Sequence, residues 1–221
     1  KDDSSIEVCS LHAMYPKGAE KVAAYETTGR VIKEGMLPAD AGIIVENITT
    51  TAFIGQYLRT GMPLITKMLT VDGGAIAEPK NVIAPIGAHF SDVIAFCGGY
   101  KRPAKKLIMG GPMMGTLVFD AAYPVLKNNN ALLAFDESQT AVEPEHPCIR
   151  CGRCMQNCPY RLMPRQIEKA YESENIAMLQ KLKVMLCMEC GCCSFVCPAK
   201  RNLTFTNKMA KQMLRAATAK K

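Results

Sequence analysis

Two runs of four cysteines, separated by residues 159–186, constrain this chain more than any other feature. Cys148-x2-Cys151-x2-Cys154-x3-Cys158-Pro159 is followed by Cys187-x2-Cys190-x2-Cys193-x3-Cys197-Pro198, one device used twice. Thiolates at i, i+3 and i+6 wrap one face of an iron–sulfur cubane. The fourth, carried by the turn that Pro initiates, reaches a different cluster, as in bacterial two-cluster ferredoxins. The spacing therefore predicts one [4Fe–4S] cluster on Cys148, Cys151, Cys154 and Cys197, and another on Cys187, Cys190, Cys193 and Cys158. Structural zinc uses four thiolates in two short knuckles and has no use for two four-Cys runs ending in Pro. Crossed ligands hold the clusters close together and leave no iron open, which points to electron relay rather than chemistry on a substrate.

The other three cysteines are read differently. Cys192 breaks the spacing and is expected to be a neighbour supplying bulk or a weak S–H donor; Cys9 and Cys97 are expected to be buried small apolar residues. Nothing at the N-terminus reads as a signal peptide, so the thiols are expected in a reducing compartment, free for metal. The absence of Met at position 1 suggests a processed or excised piece. A bilayer span needs about 18 uncharged apolar residues. The charge-free stretch 107–119 contains three Gly and a Pro, so no transmembrane segment is expected.

Charge divides the chain. Residues 1–146 hold 13 Lys+Arg against 16 Asp+Glu, whereas residues 147–221 hold 14 against 4. A basic half can serve nucleic acid, anionic lipid or an acidic partner. Its only aromatics, Tyr160, Tyr171, Phe195 and Phe205, do not interleave with the cations in a binding pattern, so no nucleic acid is expected. Arg150, Arg153, Arg161, Arg165, Lys200 and Arg201 instead flank the motifs, where they offset the negative charge of thiolate-ligated cubanes.

The fold class expected is α+β in several domains. Over 1–63 the pattern reads strand (6–9), helix (17–34, with Ala19, Val22, Ala23 and Val31 inward), strand (43–45) and helix (51–60, closing at Gly61). Over 64–119 short apolar runs at 64–71, 81–86, 107–109 and 116–119, punctuated by Gly and Pro, read as a small β domain. One helix sits among them at 89–97, with Phe90, Val93, Ile94 and Cys97 on one face. Residues 120–143 read as a linker with a strand-like run at 131–135. From 144 to the end, helices are expected at 163–182, begun by Pro164, and at 205–217, with Met209, Met213 and Leu214 on one side.

CIRCGRCMQNCP at 148–159, CMECGCCSFVCPAKR at 187–201, GGPMMG at 110–115 and YPKGAEK at 15–21, in this order, resemble the RnfC family of the Rnf ion-translocating ferredoxin:NAD oxidoreductase. The cobalamin reductase of propanediol-degrading compartments shares the layout. The resemblance implies that 1–63 is the C-terminal part of a domain similar to the flavin- and NADH-binding subunit of complex I. It makes 64–119 a β-grasp soluble-ligand-binding domain and 144–221 a helical ferredoxin domain. It also implies a partial FMN site on Tyr15, Gly18 and Glu20 and on Asn47 and Thr50. The family's glycine-rich, Phe-containing loop has no counterpart here, so FMN and NADH are implied only for the full-length protein. Other Rnf subunits, and a ferredoxin or flavoprotein redox partner, are implied on the cytoplasmic side of the membrane, with the chain peripheral to it.

Overall fold

The computed structural model describes residues 5–219. The chain forms two compact units, one of residues 49–144 and one that joins 1–48 with 145–221.

The first unit is built on a five-stranded mixed sheet, β1 (Thr66–Asp72), β2 (Lys80–Pro85), β3 (Lys106–Met109), β4 (Thr116–Val118) and β5 (Ala131–Phe135). Its order is β2-β1-β5-β3-β4, antiparallel throughout except for the parallel pair β1/β5. Leu69 and Val71 on β1, and Val82 and Ala84 on β2, are buried at period two. They meet Phe90, Val93, Ile94 and Cys97 of helix α3 (Phe90–Phe96) and its C-cap. The predicted helix face is therefore the core face, and burying such a side chain contributes about 1.5–3 kcal/mol.

Residues 131–135 are not part of a linker. Leu132, Leu133 and Ala134 are all buried in the middle strand, which pairs with both β1 and β3. A strand covered on both faces shows no alternation, which is why it lacks the period of its neighbours. Gly73 (φ +116°) lets the chain cross β5, since a Cβ there would lie 2.1 Å from the Ala134 carbonyl oxygen.

The expected strands at 6–9 and 43–45 do not form; among the described residues of 5–63 only helices occur. Strands need a partner to take up their amides, and Val8 and Ile44 stand exposed instead. Helix α1 is Glu20–Thr28, shorter than predicted, because Gly29 takes the left-handed conformation and donates its N–H to the Tyr25 carbonyl. Val31 is consequently exposed, and Ala24 and Ile32 are buried in its place. Helix α2 runs Ile48–Thr60 and ends at Gly61 as expected.

The cysteine half is helical: α4 (Arg153–Gln156), α5 (Pro164–Glu172), α6 (Ile176–Lys181), α7 (Cys192–Phe195) and α8 (Leu203–Ala219). The single helix predicted over 163–182 is broken in two. Glu174 adopts a positive φ, and Asn175 caps α6 by accepting the Met178 N–H at 2.9 Å. Leu162, Ile167, Ala170, Leu179, Val184, Ala210 and Leu214 form the core, with Cys158 and Cys187 against its edge. Met213 only flanks this core and Met209 is half-buried; the buried face of α8 is Leu203, Asn207, Ala210, Lys211 and Leu214.

Candidate metal centre

The two cysteine runs fold alike, residue for residue. Arg150 and Glu189 take positive φ at one position, Gly152 and Gly191 at the next, and Arg161 and Lys200 beyond the Pro. Each run then closes a one-turn helix, through Gln156 N to Gly152 O (3.1 Å) and Phe195 N to Gly191 O (3.0 Å). Left-handed residues between the thiols turn successive amides toward one point, a concavity suited to anions. Burial raises the thiols of Cys154, Cys158 and Cys193, and nearby donors pull them back down: the Arg165 and Met155 amides at Cys154, those of Leu162 and Tyr160 at Cys158, and Thr204 with the Ser194 amide at Cys193.

The fourth thiols cross. One cavity is lined by Cys148, Cys151, Cys154 and Cys197; another is lined by Cys158, Cys187, Cys190 and Cys193, with Cys192 as a fifth. Backbone ties produce the first set: His146 N donates to Ala199 O (2.9 Å) and Asn202 N to Glu145 Oε1 (2.9 Å), laying the approach to Cys148 beside the exit from Cys197. Glu168, buried on α5, holds that exit. It accepts from Arg201 Nη2 at 2.6 Å and Nε at 2.9 Å, and from Arg165. The Arg201 guanidinium is held further above its ordinary range, first by Glu168.

The two cavities differ in environment. Cys151 is exposed and Cys148, Cys154 and Cys197 are half-buried, with Arg150, Arg165 and Arg201 at the rim. Around the second cavity Cys190, Cys192 and Cys193 are buried. Burial pushes the Cys193 thiol up to about 11 and the Cys192 thiol up to about 12; Cys187 is also raised by burial, against the pull of the Glu189 amide, Asn207 and Lys211. Thiolates are stable in such a place only when iron or another cation compensates them.

That compensation comes in part from one face of α8, which sequence reasoning missed. Thr204, Asn207 and Lys211 recur at helical spacing. Thr204 Oγ1 lies 3.4 Å from Cys193 Sγ, and Asn207 Nδ2 donates to Cys187 Sγ at 3.6 Å. Lys211 Nζ donates to Cys187 O (2.7 Å) and pairs with Glu189 (2.6 Å). The available signal was the polar character of i, i+3 and i+7 on an otherwise apolar helix face.

No three His, Cys, Asp or Glu side chains among the described residues gather about a point suited to a single ion. A cubane is wider than an ion and attaches its thiolates at separate corners. Four cysteines around each cavity, with N–H donors aimed at their sulfurs, fit such a group. The implied flavin residues are placed as follows. Tyr15 precedes α1 and donates its hydroxyl to Cys190 O at 2.7 Å. Gly18 and Glu20 lie at the α1 N-terminus, with open space around Gly18. Asn47 directly precedes α2, and Thr50 is in that helix's first turn. Cys97 is buried in the sheet core, whereas Cys9 is exposed, contrary to expectation.

Residues 146–201 match the family described as 4Fe-4S dicluster domain, which makes this an iron–sulfur protein. Residues 1–56 match the Nuo51 FMN-binding domain and 68–117 the SLBB domain. The RnfC protein of the proton-translocating ferredoxin:NAD(+) oxidoreductase complex of Clostridium ljungdahlii is 40% identical over 75% of this chain and 36% of its own length. Its Na(+)-translocating counterpart in Acetobacterium woodii is 41% identical over 79% of this chain and 39% of its own. The chain belongs to the RnfC family. It spans little more than a third of the length of these relatives. Cobalamin reductase PduS of Salmonella typhimurium is 32% identical over 96% of this chain and 51% of its own length. The RnfC domain order, flavin-type, SLBB and dicluster, is the order of the matches here, and no helix of the described residues is long and apolar enough to cross a membrane.

Proposed function

We propose that the chain is an electron-transfer segment of an Rnf-type ferredoxin:NAD oxidoreductase complex, holding two [4Fe–4S] clusters. Cys148, Cys151, Cys154 and Cys197 would ligate the first; Cys187, Cys190, Cys193 and Cys158 would ligate the second. The observation that carries this reading is the pair of four-cysteine cavities, each completed by a thiol from the other motif. Bound there, the clusters would supply one-electron storage and exchange. The chain's own residues hold and tune the site. Backbone amides and Asn207 direct N–H groups at sulfur, Lys211 and the arginines offset thiolate charge, and burial shields the second cavity from water.

In this reading the segment works in a longer protein, whose flavin site includes Tyr15, Gly18, Glu20, Asn47 and Thr50 and takes electrons from or gives them to NADH. Residues 1–63 belong to that flavin domain, the SLBB region is a β-grasp fold, and 144–221 is the ferredoxin domain. The partners are other Rnf subunits and a ferredoxin or flavoprotein, met at the cytoplasmic side of the membrane by a peripheral chain. Anaerobically purified protein is expected to be brown, with about eight iron and eight sulfide per chain, and reversibly bleached by dithionite. Colourless protein with stoichiometric zinc refutes the reading; clusters needed for assembly but inert to reduction would make it a docking module. The near-complete overlap with PduS favours one second reading, a flavin and iron–sulfur cobalamin reductase. NADH-dependent reduction of a cobalamin by the full-length protein would select it.

A further inference from the structure

The second cavity holds one thiol more than a cubane can use. Cys192 lies between two expected ligands, Cys190 and Cys193, and is only 9% exposed. It lines the same cavity as Cys158, Cys187, Cys190 and Cys193, so it lies among the thiols that would ligate the second cluster. The corresponding residue of the first run is Arg153, which is exposed and absent from the lining of the first cavity. The same backbone device therefore carries a sulfur donor at this position in one copy only. Cys190 and Cys192 leave the same loop on either side of left-handed Gly191, and both side chains line one cavity.

We propose that Cys192 is an alternate ligand of the second cluster, able to bind the iron otherwise held by Cys190. This rests on the reading of that cavity as a cluster site. The exchange moves no electrons: an Fe–S bond to Cys192 forms as its thiol releases a proton, and the iron's bond to Cys190 breaks as that sulfur takes up a proton. In a chain without the Cys190 sulfur, only the first half occurs. The reserve sits at the buried cluster, so iron that loses the Cys190 thiolate to a proton has another within reach without unfolding.

The test uses the intact chain, purified and reconstituted anaerobically, with iron counts and electron paramagnetic resonance of the reduced protein. Cys190→Ala and Cys190→Ser are each expected to keep about eight iron per chain, with the second cluster's signal altered. Adding Cys192→Ala to either is expected to halve the iron, as Cys187→Ala alone does. The first cluster's unchanged signal reports in every sample that the chain has folded. Iron falling to half in both Cys190 variants while Cys192 is intact overturns the proposal. Unsubstituted chain that binds no second cluster overturns instead the reading on which it rests.

Discussion

Replacing Asn207 by Leu isolates what one hydrogen bond would contribute to the cluster proposed for the second cavity. Asn207 is 1% exposed, its Nδ2 donates to Cys187 Sγ at 3.6 Å, and its Oδ1 is buried with no partner among the described residues. A hydrogen bond to a charged acceptor contributes about 1.5–3 kcal/mol. Only its gain on reduction, when the cluster takes up a further negative charge, moves the potential. If about a third of the bond is gained on that step, the difference is about 0.5–1 kcal/mol. At about 59 mV per tenfold for one electron, Leu should lower the potential of the second cluster by roughly 20–40 mV. The same substitution removes an unpaired buried carbonyl, which costs about 1–3 kcal/mol to bury, and adds apolar volume. Melting temperature should therefore hold or rise. A redox titration monitored by electron paramagnetic resonance, beside thermal unfolding under argon, measures both quantities. Equal shifts of both clusters, or no shift with unchanged stability, would refute the assignment of Asn207 as a donor to the cluster.

Other outcomes follow from the same geometry. Cys197→Ala should remove or perturb the first cluster and spare the second, read as loss of about half the iron; loss confined to the second cluster would contradict the crossed cavities. Glu168→Ala leaves the partly exposed Arg165 and Arg201 only their longer contacts to Glu172 (3.7 Å each) and, for Arg201, to Glu145 (4.0 Å), and should destabilise the cysteine unit by about 1.5–3 kcal/mol; thermal unfolding measures it, and a change under about 1 kcal/mol, the worth of a surface pair, would mean the pair is ornamental. Asp136 is held below the ordinary carboxylate range, first by Ser138 and then by Arg102. The ion pair's stabilisation should be complete above the usual carboxylate pKa and be lost as pH falls through the lowered one. The melting-temperature advantage over Asp136→Asn should shrink in acid, and a gap that does not depend on pH would argue against it. Gly73→Ala should lower the stability of the sheet unit by more than about 1 kcal/mol, because its Cβ meets the Ala134 carbonyl oxygen; an unchanged melting curve would contradict the crossing described.

Where a pattern is local, it is legible without coordinates. The period-two runs of β1 and β2, the α3 face from Phe90 to Cys97 and the glycine stop after α2 all follow from side-chain direction and backbone freedom within a few residues. Elements whose existence depends on a distant partner are misread. The segments 6–9 and 43–45 have strand-like composition but pair with no neighbour among the described residues. Residues 131–135 read as strand-like, as they are, but their place in the middle of the sheet rather than in a linker depends on β1 and β3 pairing on both sides.

The cysteine site divides the same way. The spacing, with the ferredoxin precedent for it, already predicted the crossed grouping of the thiols and the repeated turn, because thiols three residues apart on one short loop leave the backbone few ways to fold. Only the tertiary structure decided that one cavity is open and rimmed by arginine while the other is buried. It also decided that Thr204, Asn207 and Lys211 reach back to Cys187 and Cys193 from α8, and that Cys192 lines the second cavity. The reason is range: burial and the approach of α8 to the second motif are set by helix packing over tens of residues, whereas the thiol pattern is written in steps of three and four.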